Sequence, residues 1–233
     1  IGFNNCCDYK FACSKEAGEW LFGKKVCYKV LNNGIESEKY IFNENQRNLL
    51  RNHLNIKNDE FVLGHIGRLD KNKNVTFILD ILKELNDLGI KSKFVSAGQG
   101  SEYDCLVSKS KALNIENDVF FLGLRDDINV VVQLFDVFVF PSVYEGLGIA
   151  TIEAQASGLK CLLSDTIPKE VDITGNVEFM SLGNPPREWA EKIKTMLPYK
   201  RENTKQKIIK SGYDIKTTVD YLTKFYLQLS EQK

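Results

Sequence analysis

A doubly wound, Rossmann-like α/β domain on a parallel sheet is the fold class this sequence predicts, and two observations predict it. From residue 61 onward, short apolar β-rich runs at 61–66, 94–97, 119–122, 137–140 and 161–163 alternate with longer segments of helical period. The connections are also short, and parallel neighbours need a crossover long enough to hold a helix. Ligands of such sheets sit beyond the carboxyl ends of the strands, so the residues just after each run are the ones to inspect.

In chain order, residues 9–13 read as a strand, followed by a short helix opened by Ser14 and closed near Gly23, a strand at 27–31 and a turn at Asn32-Asn33-Gly34. This is too little to form a domain alone. Between the first two runs of the sheet, Val75, Ile78, Leu79, Leu82 and Leu85 recur at i, i+3, i+4, i+7 and i+10. That spacing is one apolar face of a helix that begins near Asn74 and ends near Gly89. After the fourth run, Pro141, Gly146 and Gly148 break regular structure, so Glu145 belongs to a loop and the next helix begins near Gly148. Ile149, Ile152, Ala156 and Leu159 mark its buried stripe. The last helix carries Ile215, Val219, Leu222, Tyr226 and Leu229 at alternating four- and three-residue spacing, an apolar stripe that has to dock on something.

At roughly 150 residues per domain, 233 residues give one large or two small domains. The 31 basic and 31 acidic residues cancel, which argues against a dedicated nucleic-acid binder. With 43% hydrophobic residues the chain can build a core, yet its longest apolar stretch, residues 130–140, contains Gln133 and Asp136 and is too short to span a bilayer. Without a basic region followed by an apolar core at the start, a cytoplasmic location is expected. The lysine-rich stretch 192–210 reads as a solvated helix face, with peripheral contact to an anionic membrane as the alternative. The six cysteines are scattered and read as reduced thiols; a redox or metal site around Cys6, Cys7 and Cys13 is the other option.

The residues after the strands carry the chemistry. Gly67-Arg68-Leu69-Asp70-Lys71-Asn72-Lys73 follows the first run, and its guanidinium and ammonium groups at a helix N-terminus suit a diphosphate; a solvated basic turn is the plainer reading. A dinucleotide fingerprint would need Gly-x-Gly-x-x-Gly there, and the segment has only Gly67. Gly98-Gln99-Gly100 after the second run lacks the third glycine as well, so these glycines are expected to permit a tight turn or a close approach of backbone to ligand. Glu153 lies on the flank of its helix's buried stripe. A half-buried carboxylate there needs a protein donor or a polar ligand such as a ribose diol. His65, inside the first strand, reads as a hydrogen-bonded core residue, and His53 as a helix-surface residue.

Together these residues resemble the retaining glycosyltransferases of family 4, which have the two-domain GT-B architecture and use nucleotide-diphospho-sugar donors. Glu145 and Glu153 stand as the family's E-x7-E pair within Pro-Ser-x-x-Glu-Gly-Leu-Gly-Ile-x-x-x-Glu-Ala, and Gly67-Arg68-Leu69 with Lys73 matches its G-R-L-x-x-x-K motif. Gly98-Gln99-Gly100 stands where the family often has Gly-Asp-Gly, Phe121-Leu122-Gly123 matches its F-L-G segment, and Asn33-Gly34-Ile35 is similar to the stretch leading into its second domain. The nearest resemblance is to bacterial capsule or exopolysaccharide enzymes.

The resemblance implies that Arg68 and Lys73 hold the donor diphosphate and neutralise charge on it as the glycosidic bond breaks. Glu145 would contact donor-sugar hydroxyls, with Gly146, Leu147 and Gly148 offering main-chain amides. Glu153 would bind the ribose, and Gly98, Gly123, Leu124 and Arg125 would surround the nucleotide. No metal and no cofactor are implied; UDP is the expected nucleotide, and the acceptor is expected to be a saccharide or lipid-linked saccharide at the inner membrane face. By this resemblance residues 1–35 are a remnant of an N-terminal domain with the interdomain linker, 36–213 the donor-binding domain, and 214–233 a helix that returns to the N-terminal domain. Apolar surface at Trp20, Phe22 and Tyr226 would then be exposed and could support a dimer. A nucleotide-sugar-binding module inactive alone, or a GT-B epimerase or phosphorylase, are the alternatives. Two departures stand out: Asn74 replaces the glycine common after the motif lysine, and residues 164–170 replace the usual Gly-Gly-x-x-Glu region.

Overall fold

A computed structural model describes residues 7–231 of the chain. Its contacts divide into two units, one running to Glu38 and resuming at Lys205, the other spanning Lys39–Thr204. In the first, β1 (Phe11–Ala12) pairs in parallel with β2 (Lys29–Val30) across α1 (Lys15–Phe22). Ser14 caps α1 by accepting from the Ala17 N–H at 3.1 Å, as its place before a helical run predicts. The same unit holds α8 (Lys205–Lys210) and α9 (Ile215–Glu231).

Two expectations for this unit are corrected. The stripe on α9 is rotated: Tyr221 and Phe225 pack edge-on against Phe11, and Phe225 against Tyr9, while Val219 of the expected seam is 51% exposed; Tyr226 is 61% exposed, as expected. Aromatic partners on β1 set the docked face. Trp20 is 87% exposed as expected, but Phe22 is buried and packs on Tyr28. Cys13, Cys27 and Cys105 are exposed thiols and Cys161 is buried; Cys6 lies outside the described residues.

The larger unit begins with α2 (Glu44–His53) and then alternates β3 (Phe61–Ile66), α3 (Val75–Asp87), β4 (Ser92–Ala97), α4 (Tyr103–Ala112), β5 (Val119–Phe121), α5 (Ile128–Val131), β6 (Val137–Phe140), α6 (Ile149–Ala156) and β7 (Lys160–Ser164). It closes with β8 (Val177–Met180) and α7 (Pro186–Met196). The six strands form one parallel sheet in the order β5-β4-β3-β6-β7-β8, as the alternation predicts. β8 went unread in the sequence because it is a short, half-exposed edge strand containing Glu178. Leu63, Phe94, Val137, Val139 and Leu162 point to one face, where they meet Ile78, Leu82 and Leu85 of α3 and Trp189 and Ile193 of α7. The period of two sends Phe138, Phe140, Cys161 and Leu163 to the opposite face. No helix of the described residues is long and apolar enough to cross a membrane.

Main-chain bonds continue past the carboxyl ends of the strands. Gly67 N–H donates to Ala97 O at 3.0 Å, Leu69 N–H to Gln99 O at 2.9 Å, and Gly98 N–H to Gly123 O at 2.8 Å. A Cβ on Gly98 would lie 1.9 Å from Gly67 O, and the residue's φ is +143°. The glycines of Gly98-Gln99-Gly100 therefore serve a close approach between neighbouring loops. Gly98→Ala is expected to cost about 2 kcal/mol or more, because both the conformation and the space refuse a methyl group, and urea unfolding measures the loss.

His65, next to last in β3, is fully buried, with Nδ1 3.1 Å from Ser96 Oγ and its ring against Phe140. Burial, and next the Lys73 charge, push its pKa down to about 3. The unfolded chain takes up a proton on His65 below roughly pH 6.5, and the folded chain resists it until much lower pH. Stability from this site is complete above that value and falls by about 1.4 kcal/mol per pH unit as the medium is acidified. Denaturation curves between pH 7 and 4 are expected to show that slope in the parent chain and to lose it in His65→Asn.

Candidate nucleotide-sugar site

The sheet begins at β3, runs outward through β4 and β5, then returns to β6 on the other side of β3 and runs outward through β7 and β8. Right-handed crossovers then place the helices after β3 and β6 on opposite faces, opening a crevice between the two loops. Residues 67–74 and 141–148 form its walls. Across it, Lys73 Nζ donates to Glu145 Oε2 in a close ion pair whose side chains are only 12% and 16% exposed. Two groups 72 residues apart in sequence thus meet where the sheet reverses.

A second link fixes the loops to each other. The Asn72 side chain donates to Tyr144 O at 2.7 Å and accepts from Tyr144 N–H at 3.2 Å, while Asn72 O accepts from Val143 N–H at 2.8 Å. Asn72 was not singled out in the sequence, since a lone Asn in a basic turn reads as a turn residue. Behind the ion pair, Gly148 caps α6 in the left-handed conformation with φ 71° and no side-chain cap. The first N–H groups of α6 and the positive end of its dipole are left for an anion or a polar ligand. Three polar atoms in this region, His65 Nε2, Ser142 Oγ and Thr151 Oγ1, are buried with no partner among the described residues. Each is unused hydrogen-bonding capacity at the sheet's carboxyl end.

Glu153, one turn into α6, is half-buried, and burial raises its pKa while a hydrogen bond from Tyr40 lowers it. That bond is 2.5 Å from Tyr40 Oη to Glu153 Oε1. The sequence required a donor for this carboxylate without naming one, because Tyr40 lies 113 residues away.

Beside the crevice, Gly98, Gln99, Gly100, Tyr103, Phe121, Leu122 and Gly123 line a cavity of about 570 Å³. Tyr103 meets Phe121 edge-on at 5.4 Å, so one wall is aromatic. Leu124 is 77% exposed at its rim. Two of the expected cations stand apart from the Lys73–Glu145 pair. Arg68 is exposed and bridges Asp70 at 3.3 Å, and the Arg125 fork is held by both oxygens of Asp127, with Nε to Oδ1 at 2.7 Å. Gly146 and Leu147 continue the loop between Glu145 and the cap of α6.

A larger cavity, about 760 Å³, opens at the opposite end of the sheet between Phe42, Arg47, Phe61, Asp136, Tyr199 and Arg201. Its two arginines are already engaged, while Lys200 at its rim is exposed. Arg47 donates to Leu134 O at 2.9 Å, Phe135 O at 3.0 Å and Asp136 Oδ1 at 2.7 Å, and Arg201 donates to Ser157 Oγ at 2.9 Å and to Phe135 O. These arginines close the ends of α5 and its following turn, so the chemistry concentrates at the other end.

Known proteins share this sequence and shape. Residues 46–214 match the family model described as glycosyl transferases group 1. EpsF of Bacillus subtilis (strain 168), a protein assigned to the glycosyltransferases, is 35% identical over 223 residues, covering 92% of this chain and 58% of that one. An Escherichia coli enzyme named UDP-Gal:alpha-D-GlcNAc-diphosphoundecaprenol alpha-1,3-galactosyltransferase is 33% identical over 159 residues, 67% of this chain and 40% of that one. Among solved structures, Anabaena Alr3699/HepE in complex with UDP and glucose superposes with a TM-score of 0.78 at 22% identity, covering 94% of this chain and 63% of that one. The chain thus spans less than two thirds of each of these relatives. With its parallel sheet reversing at β3 and β6, its Gly-Arg-Leu-x-x-x-Lys loop and its paired glutamates, the chain belongs to the group 1 glycosyl transferases, of GT-B type.

Proposed function

We propose that this chain is the donor-binding part of a retaining glycosyltransferase of family 4 that moves a sugar from a UDP-linked donor to a saccharide or lipid-linked acceptor, in surface polysaccharide synthesis at the cytoplasmic membrane face. The observation that carries the reading is the meeting of Lys73, Glu145 and the uncapped start of α6 at the reversal of the sheet. An ammonium and free main-chain N–H groups suit a diphosphate, and a neighbouring carboxylate suits sugar hydroxyls. In the structure the two charges satisfy each other. A donor diphosphate competes for Lys73 and frees Glu145 to accept from the sugar, so binding exchanges one ion pair for two sets of ligand contacts.

The roles of the other residues follow from their places. The cavity beside Tyr103 and Phe121 takes the planar base, with the main chain of Gly98, Gly123 and Leu124 at its edge, since Arg125 is held by Asp127. Glu153 accepts from ribose hydroxyls. Arg68, on its exposed loop, swings to the diphosphate as it arrives. As the bond from the sugar to phosphate breaks, its electron pair goes to the leaving diphosphate, and Lys73, Arg68 and the α6 N–H groups stabilise that charge. Because these groups supply the positive charge, binding is expected without a divalent metal. The name of the galactosyltransferase relative supports UDP and a lipid-linked acceptor, and the UDP in the Anabaena structure supports the nucleotide.

Calorimetric titration with UDP, GDP and ADP tests this. UDP is expected to bind saturably and more tightly than the other two, with the same affinity in Mg2+ and in chelator. Lys73→Ala is expected to weaken it about tenfold or more, the size of a lost hydrogen bond to a charged group. No saturable binding, or unchanged affinity in Lys73→Ala, would contradict the reading.

A further inference from the structure

We propose that Tyr40 is a positioning residue of the nucleotide site, whose hydroxyl fixes the Glu153 carboxylate with one oxygen engaged and the other open to a ribose hydroxyl. The inference rests on the reading of Glu153 as the ribose acceptor and adds the group that makes it selective. Tyr40 is 8% exposed, and its Oη donates to Glu153 Oε1 at 2.5 Å. Among the described residues Glu153 Oε2 has no hydrogen-bond donor. A carboxylate offers about four acceptor positions, and a half-buried one that uses a single position is incompletely satisfied unless a ligand supplies donors.

The geometry also explains why the tyrosine is held in place. Gln133, fully buried, accepts from Asn43 N–H through Oε1 at 3.0 Å and donates through Nε2 to Asn129 O at 2.9 Å. That glutamine, just after α5, ties the chain that follows Tyr40 to the first turn of α5. The hydroxyl is thus delivered from a fixed segment to a side chain whose terminal torsion would otherwise be broad. Tyr40 favours the ionised carboxylate against burial, and only the ionised form leaves every remaining lone pair available to a sugar hydroxyl. A carboxylate locked in this way distinguishes a ribose from a deoxyribose, because removing one ligand hydroxyl leaves a buried acceptor unpaired.

The test compares UDP with 2′-deoxy-UDP and 3′-deoxy-UDP by calorimetry on the whole chain and on Tyr40→Phe. The parent chain is expected to prefer UDP over at least one deoxy analogue by about tenfold. Tyr40→Phe is expected to lose most of that preference, binding UDP about tenfold more weakly and the disfavoured analogue almost unchanged, with its melting temperature confirming a folded chain. Glu153→Asp, which draws the carboxylate back from Tyr40 by one methylene, is the second variant and is expected to lose the preference likewise. A Tyr40→Phe chain that keeps the full preference overturns the role of Tyr40 alone. A parent chain that binds UDP but not more tightly than either analogue, or a Glu153→Asp chain that keeps the preference, overturns the ribose assignment of Glu153. Absence of UDP binding in the parent chain overturns the proposed function itself.

Discussion

Everything at the site depends on the reversal of strand order between β3 and β6. A parallel sheet built by right-handed crossovers can grow in both directions from a central strand only if the two halves send their helices to opposite faces. The loops leaving β3 and β6 must then part, and the gap between them is the one place at that edge where a ligand can reach main-chain N–H groups and side chains from both halves. Residues distant in sequence acquire a common task there: Lys73 and Glu145 share a charge, and Asn72 holds the backbone of Tyr144. The constraint is topological before it is chemical.

The ion pair across that gap is well suited to an exchange. Both side chains are largely buried, and a buried charge that loses its partner is costly. Paired across the crevice, each therefore protects the other. A diphosphate-bearing sugar offers an anion for the ammonium and hydroxyls for the carboxylate, so neither charge is stranded when the pair opens. The same logic separates this end of the sheet from the other. Around Asp136 the arginines are spent on main-chain carbonyls and on that carboxylate, so their forks serve the fold.

Much of this was legible in the sequence, for identifiable reasons. β6 is a continuous apolar run and β3, β4 and β7 each hold an apolar stretch because both faces are covered, and α3 shows a clean one-sided period because only one of its faces is buried. The turn residues around Glu145 and the capping serine of α1 obey local rules and were placed correctly. What escaped was set by contacts far apart in the chain. Tyr40 finds Glu153, Asn72 finds Tyr144, and the docked face of α9 is chosen by Phe11 and Tyr9 and not by its own apolar spacing. β8 escaped because a half-exposed edge strand carries no strong apolar signal. Arg68 and Arg125 show the converse: read from the sequence as cations for a ligand, they meet neighbouring aspartates, Arg68 through one contact and Arg125 through its fork.

The central claim is that one nucleotide-sugar occupies the carboxyl-end crevice, spanning the base cavity and the Lys73–Glu145 gap. Amide chemical-shift mapping of the labelled chain during titration with UDP tests it most directly. Shifts are expected to be confined to residues 67–73, 98–103, 121–125 and 142–153, with Tyr40 among the few perturbed outside them. Shifts gathered instead around Phe42, Arg47 and residues 197–201, at the other end of the sheet, would contradict it.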